Sequence, residues 1–181
     1  MIELPTSCAI ILGLCCSLGD VQTPRNTNQL TVSELAAYLE NLGKERRFDE
    51  LKAFATSSHM YRFLATSVVV KYLPTDEAIA YCDQLKFGTG NWQGAFFTLV
   101  NHPKKKVIPY LARVYNKGDC GKVFCYEICT REKWPEFAEQ ARKDLSENSS
   151  AVLFPNSPVE TVAEYAQRYL SAITKGMNQE P

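Results

Sequence analysis

The residues able to do chemistry in this chain are few. There are two histidines, His59 and His102, and four cysteines beyond the first twenty positions, Cys82, Cys120, Cys125 and Cys129. A cysteine or serine hydrolase needs its nucleophile presented on a sharp turn with a histidine beside it, and no G-x-S-x-G or comparable elbow occurs. Ser57-Ser58-His59 reads as a helix start, and His102, ahead of Pro103, closes a helix where positive charge is welcome. The carboxylate pairs Asp49-Glu50, Asp76-Glu77 and Glu136 with Glu139 read as first-turn helix charges, whereas a glycosidase needs two facing each other across a cleft. No catalytic residue is assigned. An enzyme, such as a hydrolase of unrecognised type, would need His59 or His102 to converge with an acid or a thiol in a pocket.

The cysteines have two other uses, metal and disulfide. The C-x4-C-x3-C run from Cys120 to Cys129 does not give the paired spacing of a structural zinc site, so no metal and no cofactor is expected. In an oxidising compartment the four permit two disulfides in three connectivities. Cys125 and Cys129 lie one helical turn apart, so at least one reaches outward to Cys82 or Cys120. The alternative is buried free thiols, because Tyr81-Cys82, Phe124-Cys125 and Ile128-Cys129 give each an apolar neighbour.

Gly88-Thr-Gly-Asn-Trp-Gln-Gly94 is the most glycine-rich stretch. It lacks the lysine and hydroxyl of a phosphate loop and reads as a flexible turn between helices. Trp92, with Tyr81, Phe87 and Tyr126, forms the first set of candidate contact anchors, against a core role for aromatic residues at helical spacing. The one basic cluster is Lys104-Lys105-Lys106, placed after Pro103 at a helix start, and it would suit an acidic partner. With 20 basic and 20 acidic residues the formal charge is zero, which argues against general nucleic-acid binding.

The elements that must carry these residues are helical. Val32, Leu35, Ala36, Leu39 and Leu42 form one stripe behind a capping box of Thr31 with Glu34. Phe48, Leu51, Phe54 and Ala55 make a second stripe, and Tyr61, Leu64, Ala65, Val68 and Tyr72 a third, ending before Pro74. Thr75 caps the next helix, with Ile79, Cys82 and Leu85 inward. Trp92, Phe96, Leu99 and Val100 follow, then Val107, Ile108, Leu111, Val114 and Tyr115, with Pro109 inside that helix. The cysteine segment Asp119 to Glu132 is next, and then a helix opened by Pro135. Ser157-Pro158-Val159-Glu160 opens the last helix, which ends at Lys175-Gly176. No useful run alternates with period two. The fold class is all-α, about nine short antiparallel helices, in one domain spanning 30–176 with a tail at 177–181.

Tyr61-Arg-Phe-Leu-Ala65 and Ile108-Pro-Tyr-Leu-Ala112 lie about 45 residues apart, each followed by a turn and a cysteine-bearing helix, at Cys82 and Cys125. In period and helix-pair layout residues 44–147 resemble HEAT or armadillo repeats. The resemblance implies a right-handed, solenoid-like stack and transfers no site residue.

Residues 1–19 read as a signal peptide. Ala9 to Gly19 is an uncharged apolar run too short to span a bilayer, and Ser17-Leu-Gly19 puts small residues before a cut at Asp20. The segment ahead carries Glu3 and no base, so a first core helix or an uncleaved anchor is the alternative. Lipidation at Cys15 or Cys16 fits less well, because no small residue precedes either. Cleavage removes Cys8, Cys15 and Cys16 and leaves 20–29 as a polar linker. The expectation is a secreted or periplasmic protein, with a cytoplasmic one as the alternative, and no membrane contact after cleavage. Asn148-Ser-Ser150 would accept glycan only in a eukaryotic secretory route. The function expected is that of a non-enzymatic scaffold that binds another protein. A small extracytoplasmic inhibitor or immunity-type protein, using Lys104 to Lys106, is the second reading.

Overall fold

The computed structural model describes residues 27–147 and 161–177, and these form nine α-helices and no strand. Residues 1–19, read as a signal peptide, Asn148-Ser-Ser150 and the expected helix start at Ser157–Glu160 lie outside the described residues. The chain divides into two compact units, Met1–Thr98 and Leu99–Pro181, within the span read above as one domain.

In the first unit α1 (Val32–Lys44) starts on the expected capping box. The Thr31 N–H donates to Glu34 Oε2 at 2.8 Å, and the Glu34 N–H donates to Thr31 Oγ1 at 3.3 Å. Leu35, Leu39 and Leu42 are buried, while Val32 at the stripe's outer end is 46% exposed. A short α2 (Phe48–Ala55) leads to α3 (Phe63–Tyr72), which packs against α1, α2, α4 (Thr75–Gln84) and α5 (Gly90–Thr98). Being covered from several sides, α3 buries Ala65, Thr66, Val68, Val69 and Val70 together. That explains how three consecutive valines, strand formers by propensity, sit in a helix: their burial outweighs the cost of each β-branch, about a few tenths of a kcal/mol. Helix α5 is pinned to α3 at close range. The Thr66 hydroxyl donates to the Asn91 carbonyl at 2.8 Å and the Ser67 hydroxyl to the Gly94 carbonyl at 2.9 Å. A Cβ at Gly94 would lie 2.6 Å from the Phe63 carbonyl oxygen, so the glycine is what permits the approach.

The second unit holds α6 (Lys104–Tyr115), α7 (Asp119–Glu132), α8 (Ala138–Ser146) and α9 (Val162–Met177). Helix α7 packs on α6 and on α9, and α9 also covers α8. Helix α7 keeps the expected bounds. It approaches α6 where a Cβ at Gly121 would lie only 2.0 Å from the Val114 carbonyl oxygen. Tyr169 on α9 is fully buried and works in both directions, its hydroxyl donating to the Trp134 carbonyl at 2.6 Å and accepting the Phe137 N–H at 3.2 Å.

Several boundaries differ from the expectation, each for a local reason. Residues 56–62 are turns and bends, so α3 begins at Phe63 rather than at Ser57-Ser58-His59. Pro74 is the cap of α4 and Thr75 its first residue, without a side-chain capping bond. Pro135 opens a 3-10 turn, Pro135–Phe137, ahead of α8. The last helix starts at Val162 behind a second box: Thr161 N–H donates to Glu164 Oε2 at 2.6 Å and Glu164 N–H to Thr161 Oγ1 at 3.2 Å. The echo that carried the repeat resemblance does not align with the elements. Tyr61 and Arg62 precede α3, whereas Ile108–Ala112 lies inside α6.

Candidate functional site

The aromatic candidates and the cavity fall in different places. Trp92 is 1% exposed, stacked on Phe96 with ring centroids 4.5 Å apart, and Phe87 packs edge-on against it at 4.7 Å. Tyr81 and Tyr126 are buried as well. Aromatic residues at helical spacing here are core, and none of these three buried rings offers itself to a partner. Gly90 to Gly94, expected in a flexible turn, form the first turn and a half of α5. Only the residues before them turn, around Gly88 at φ +77°.

A groove of about 610 Å³ opens instead around that α4–α5 connection. Its walls are the end of α2 (Ala55, Thr56), the following loop (His59, Met60, Arg62), Phe63 at the head of α3, Leu85 and Lys86 after α4, and Thr89 to Asn91 at the head of α5. The loop is folded on itself. His59 Nδ1 accepts the Tyr61 N–H at 3.2 Å, its ring lies 5.0 Å from that of Phe54, and Arg62 Nη1 donates to the Ser57 carbonyl at 3.3 Å. Asn91 Nδ2 donates to the Ala55 carbonyl at 2.8 Å and so fixes the end of α2 to α5. This arrangement leaves Met60 76% exposed and Phe63 37% exposed.

The groove is electrostatically one-sided. Arg62 and Lys86 are in its lining, no carboxylate is, and neither cation has a carboxylate partner among the described residues. The first turn of α5 adds partial positive charge to the same wall. His59 therefore sits among cations and apolar groups, with no acid or thiol lining the same cavity. The convergence that a hydrolase reading required is not in this groove.

A second cluster, in the other unit, is enclosed. Asp144 on α8 is 1% exposed and accepts Lys122 Nζ at 2.7 Å, the Tyr126 hydroxyl at 2.6 Å and the Tyr115 hydroxyl at 2.8 Å. Burial pushes the Asp144 carboxyl up, but these three donors outweigh it and hold the group below the usual carboxylate range. Burial, and then the bonded carboxylate, push the Tyr126 hydroxyl far above its ordinary value. Burial also raises Tyr115, to about 12. With Asp144 and Tyr126 sealed, these groups tie α6, α7 and α8 together.

All four described cysteines are free thiols, which is the second of the two expected arrangements and not the disulfides. Cys125 donates to the Leu111 carbonyl at 3.1 Å, burial pushes Cys82 and Cys129 up to about 12, and only Cys120 is exposed. They are core thiols apart from that one. In the basic cluster Lys104 is taken up internally, paired with Glu136 and over the Trp134 ring at 5.7 Å, while Lys105 and Lys106 are exposed. The cluster is therefore a weaker recognition surface than three adjacent lysines suggest. Among the described residues no His, Cys, Asp and Glu group could hold a metal, and no helix is long and apolar enough to cross a membrane.

Neither protein-family models, curated proteins nor solved structures give a match to this chain. Function is therefore read from the site itself.

The groove residues Met60, Arg62, Phe63 and Lys86 escaped the sequence reading. A single sequence marks core positions by periodicity, and Phe63 falls between the members of its helix's stripe. That was the available signal: a large apolar residue off the buried face.

Proposed function

We propose that this protein is a non-enzymatic, exported helical scaffold that binds another protein through the groove in its first unit. The observation that carries the reading is Met60, three-quarters exposed beside Phe63 at the mouth of a cavity of about 610 Å³. Exposing large apolar side chains at a concave site is what a contact surface requires, and Met60 and Phe63 are two of the three large apolar residues exposed among the described residues. Export rests on the apolar run and the Ser17-Leu-Gly19 site.

Two experiments test the two parts. Selection of displayed peptides on the full chain, followed by NMR footprinting, should perturb Met60, Phe63 and the α4–α5 connection, and Met60→Asp should abolish capture. Ligands that footprint elsewhere and ignore Met60→Asp would overturn the binding reading. Intact mass of the protein from its own source, fractionated by compartment, should begin at Asp20, and a full-length species in the cytosol would refute export.

A further inference from the structure

Resting on that reading of the groove, we infer that its occupant is an acidic segment of a protein partner. One apolar residue of the segment packs on Met60 and Phe63, and flanking carboxylates meet Arg62 and Lys86. The argument is charge complementarity. The lining carries two cations without carboxylate partners among the described residues and no anion, although the chain as a whole has 20 acidic and 20 basic residues. In a neutral protein, a wall from which every acid is missing selects by sign. An approaching basic segment meets only like charge, and an acidic one is steered in.

The apolar component fixes the rest of the ligand's character. Charged residues alone would gain little at such an exposed rim, where each ion pair contributes at most about 1 kcal/mol. Met60 and Phe63 supply the desolvated contact, and methionine's unbranched thioether adapts to more than one anchor shape. Arg62 suits a carboxylate particularly well. Its guanidinium spends one N–H on the Ser57 carbonyl, which holds the side chain in place and leaves the opposite edge for a two-point contact.

The test uses the full-length chain and three fluorescein-labelled dodecapeptides, read by anisotropy at low and at moderate salt. One has a central Leu-Phe pair flanked by glutamates, a second has lysines in place of the glutamates, and a third keeps the glutamates and replaces Leu-Phe with Ala-Ala. The anchored acidic peptide should bind at least about tenfold more tightly than either control and weaken as salt rises. The double variant Arg62→Glu/Lys86→Glu should reverse the preference toward the lysine peptide. Both side chains are at the surface, and unchanged circular dichroism would show the fold intact. Equal binding of acidic and basic peptides, or a preference that the double variant leaves unreversed, overturns this inference. Groove-footprinting peptides of neutral or basic composition from the display selection would also overturn it while leaving the binding function standing. No footprint at the groove from any peptide removes both.

Discussion

Replacing Asp144 with asparagine keeps the side chain's shape and removes its charge, so the cost isolates the ionic knot from cavity formation. Three donors converge on this carboxylate within 2.6–2.8 Å, and it is 1% exposed. After the change Lys122, whose side chain is 20% exposed, can turn toward water. The Tyr126 hydroxyl, on a fully buried residue, cannot. Removing one partner of a buried pair costs about 3–5 kcal/mol. The escape route of Lys122 places Asp144→Asn near about 3 kcal/mol at neutral pH, and Lys122→Met, which strands the carboxylate between two tyrosines, at a similar value. The pH dependence follows from the lowered carboxyl. A group whose folded value lies below its unfolded one, near 3.9 for aspartate, contributes fully above that unfolded value and loses its contribution as pH falls through the folded one. Urea unfolding followed by circular dichroism should therefore show a constant gap between the native protein and Asp144→Asn from pH 7 to about pH 5, narrowing below pH 4. A gap under about 1 kcal/mol at pH 7, the magnitude of an ordinary exposed pair, would refute the reasoning. So would a gap that persists unchanged at pH 2.

Gly121→Ala should cost at least about 3 kcal/mol or prevent folding, because its Cβ would meet a backbone oxygen at 2.0 Å. Gly43→Ala, whose Cβ would meet the Tyr72 ring edge and a Val68 methyl rather than backbone, should cost less, and thermal melts of the two rank them. Lys133, which ends α7 at φ 54°, should yield a more stable protein as glycine, by about 0.5–1 kcal/mol in urea, and a loss would contradict the left-handed cap. Thr161→Ala should lower stability by about 1 kcal/mol and speed amide exchange at the start of α9, and no change there would mean that the box carries no weight. Iodoacetamide followed by peptide mapping should modify Cys120 in the native protein, and Cys82, Cys125 and Cys129 only after denaturant, with no reductant needed. A requirement for reductant would show disulfides instead.

The helices were legible because their signals are local. Thr31-x-x-Glu34 is satisfied within four residues, the Leu35-Leu39-Leu42 stripe requires only a period, and the Asp119–Glu132 helix runs from glycine to a positive-φ lysine. Boundaries failed where two local signals competed. Ser57 and Ser58 look like caps, but the chain there folds onto the His59 ring and the Arg62 guanidinium before α3 can begin. The glycines of 88–94 were read as flexibility because the sequence does not show what lies beside them. Gly94 is small so that α5 can touch α3, a reason that exists only once both helices are placed.

The same distinction separates the sites. Trp92, Tyr81 and Tyr126 drew attention as aromatic residues, yet a large ring in an amphipathic helix is usually where the most apolar area is removed from water, and that is where they lie. The knot on Asp144 and the groove on Met60 are each assembled from residues that are unremarkable in order. Lys122 and Tyr126 are one turn apart on α7, but their acceptor comes from α8, and Tyr115 comes from α6. Arg62 and Lys86 are 24 positions apart and meet in one cavity because α3 and α4 intervene. A periodic pattern indicates which side of a helix is covered. What covers it, and which side chains that leaves facing water together, depends on packing. Here packing encloses the Asp144 carboxylate and leaves Arg62, Lys86 and Met60 exposed along one groove.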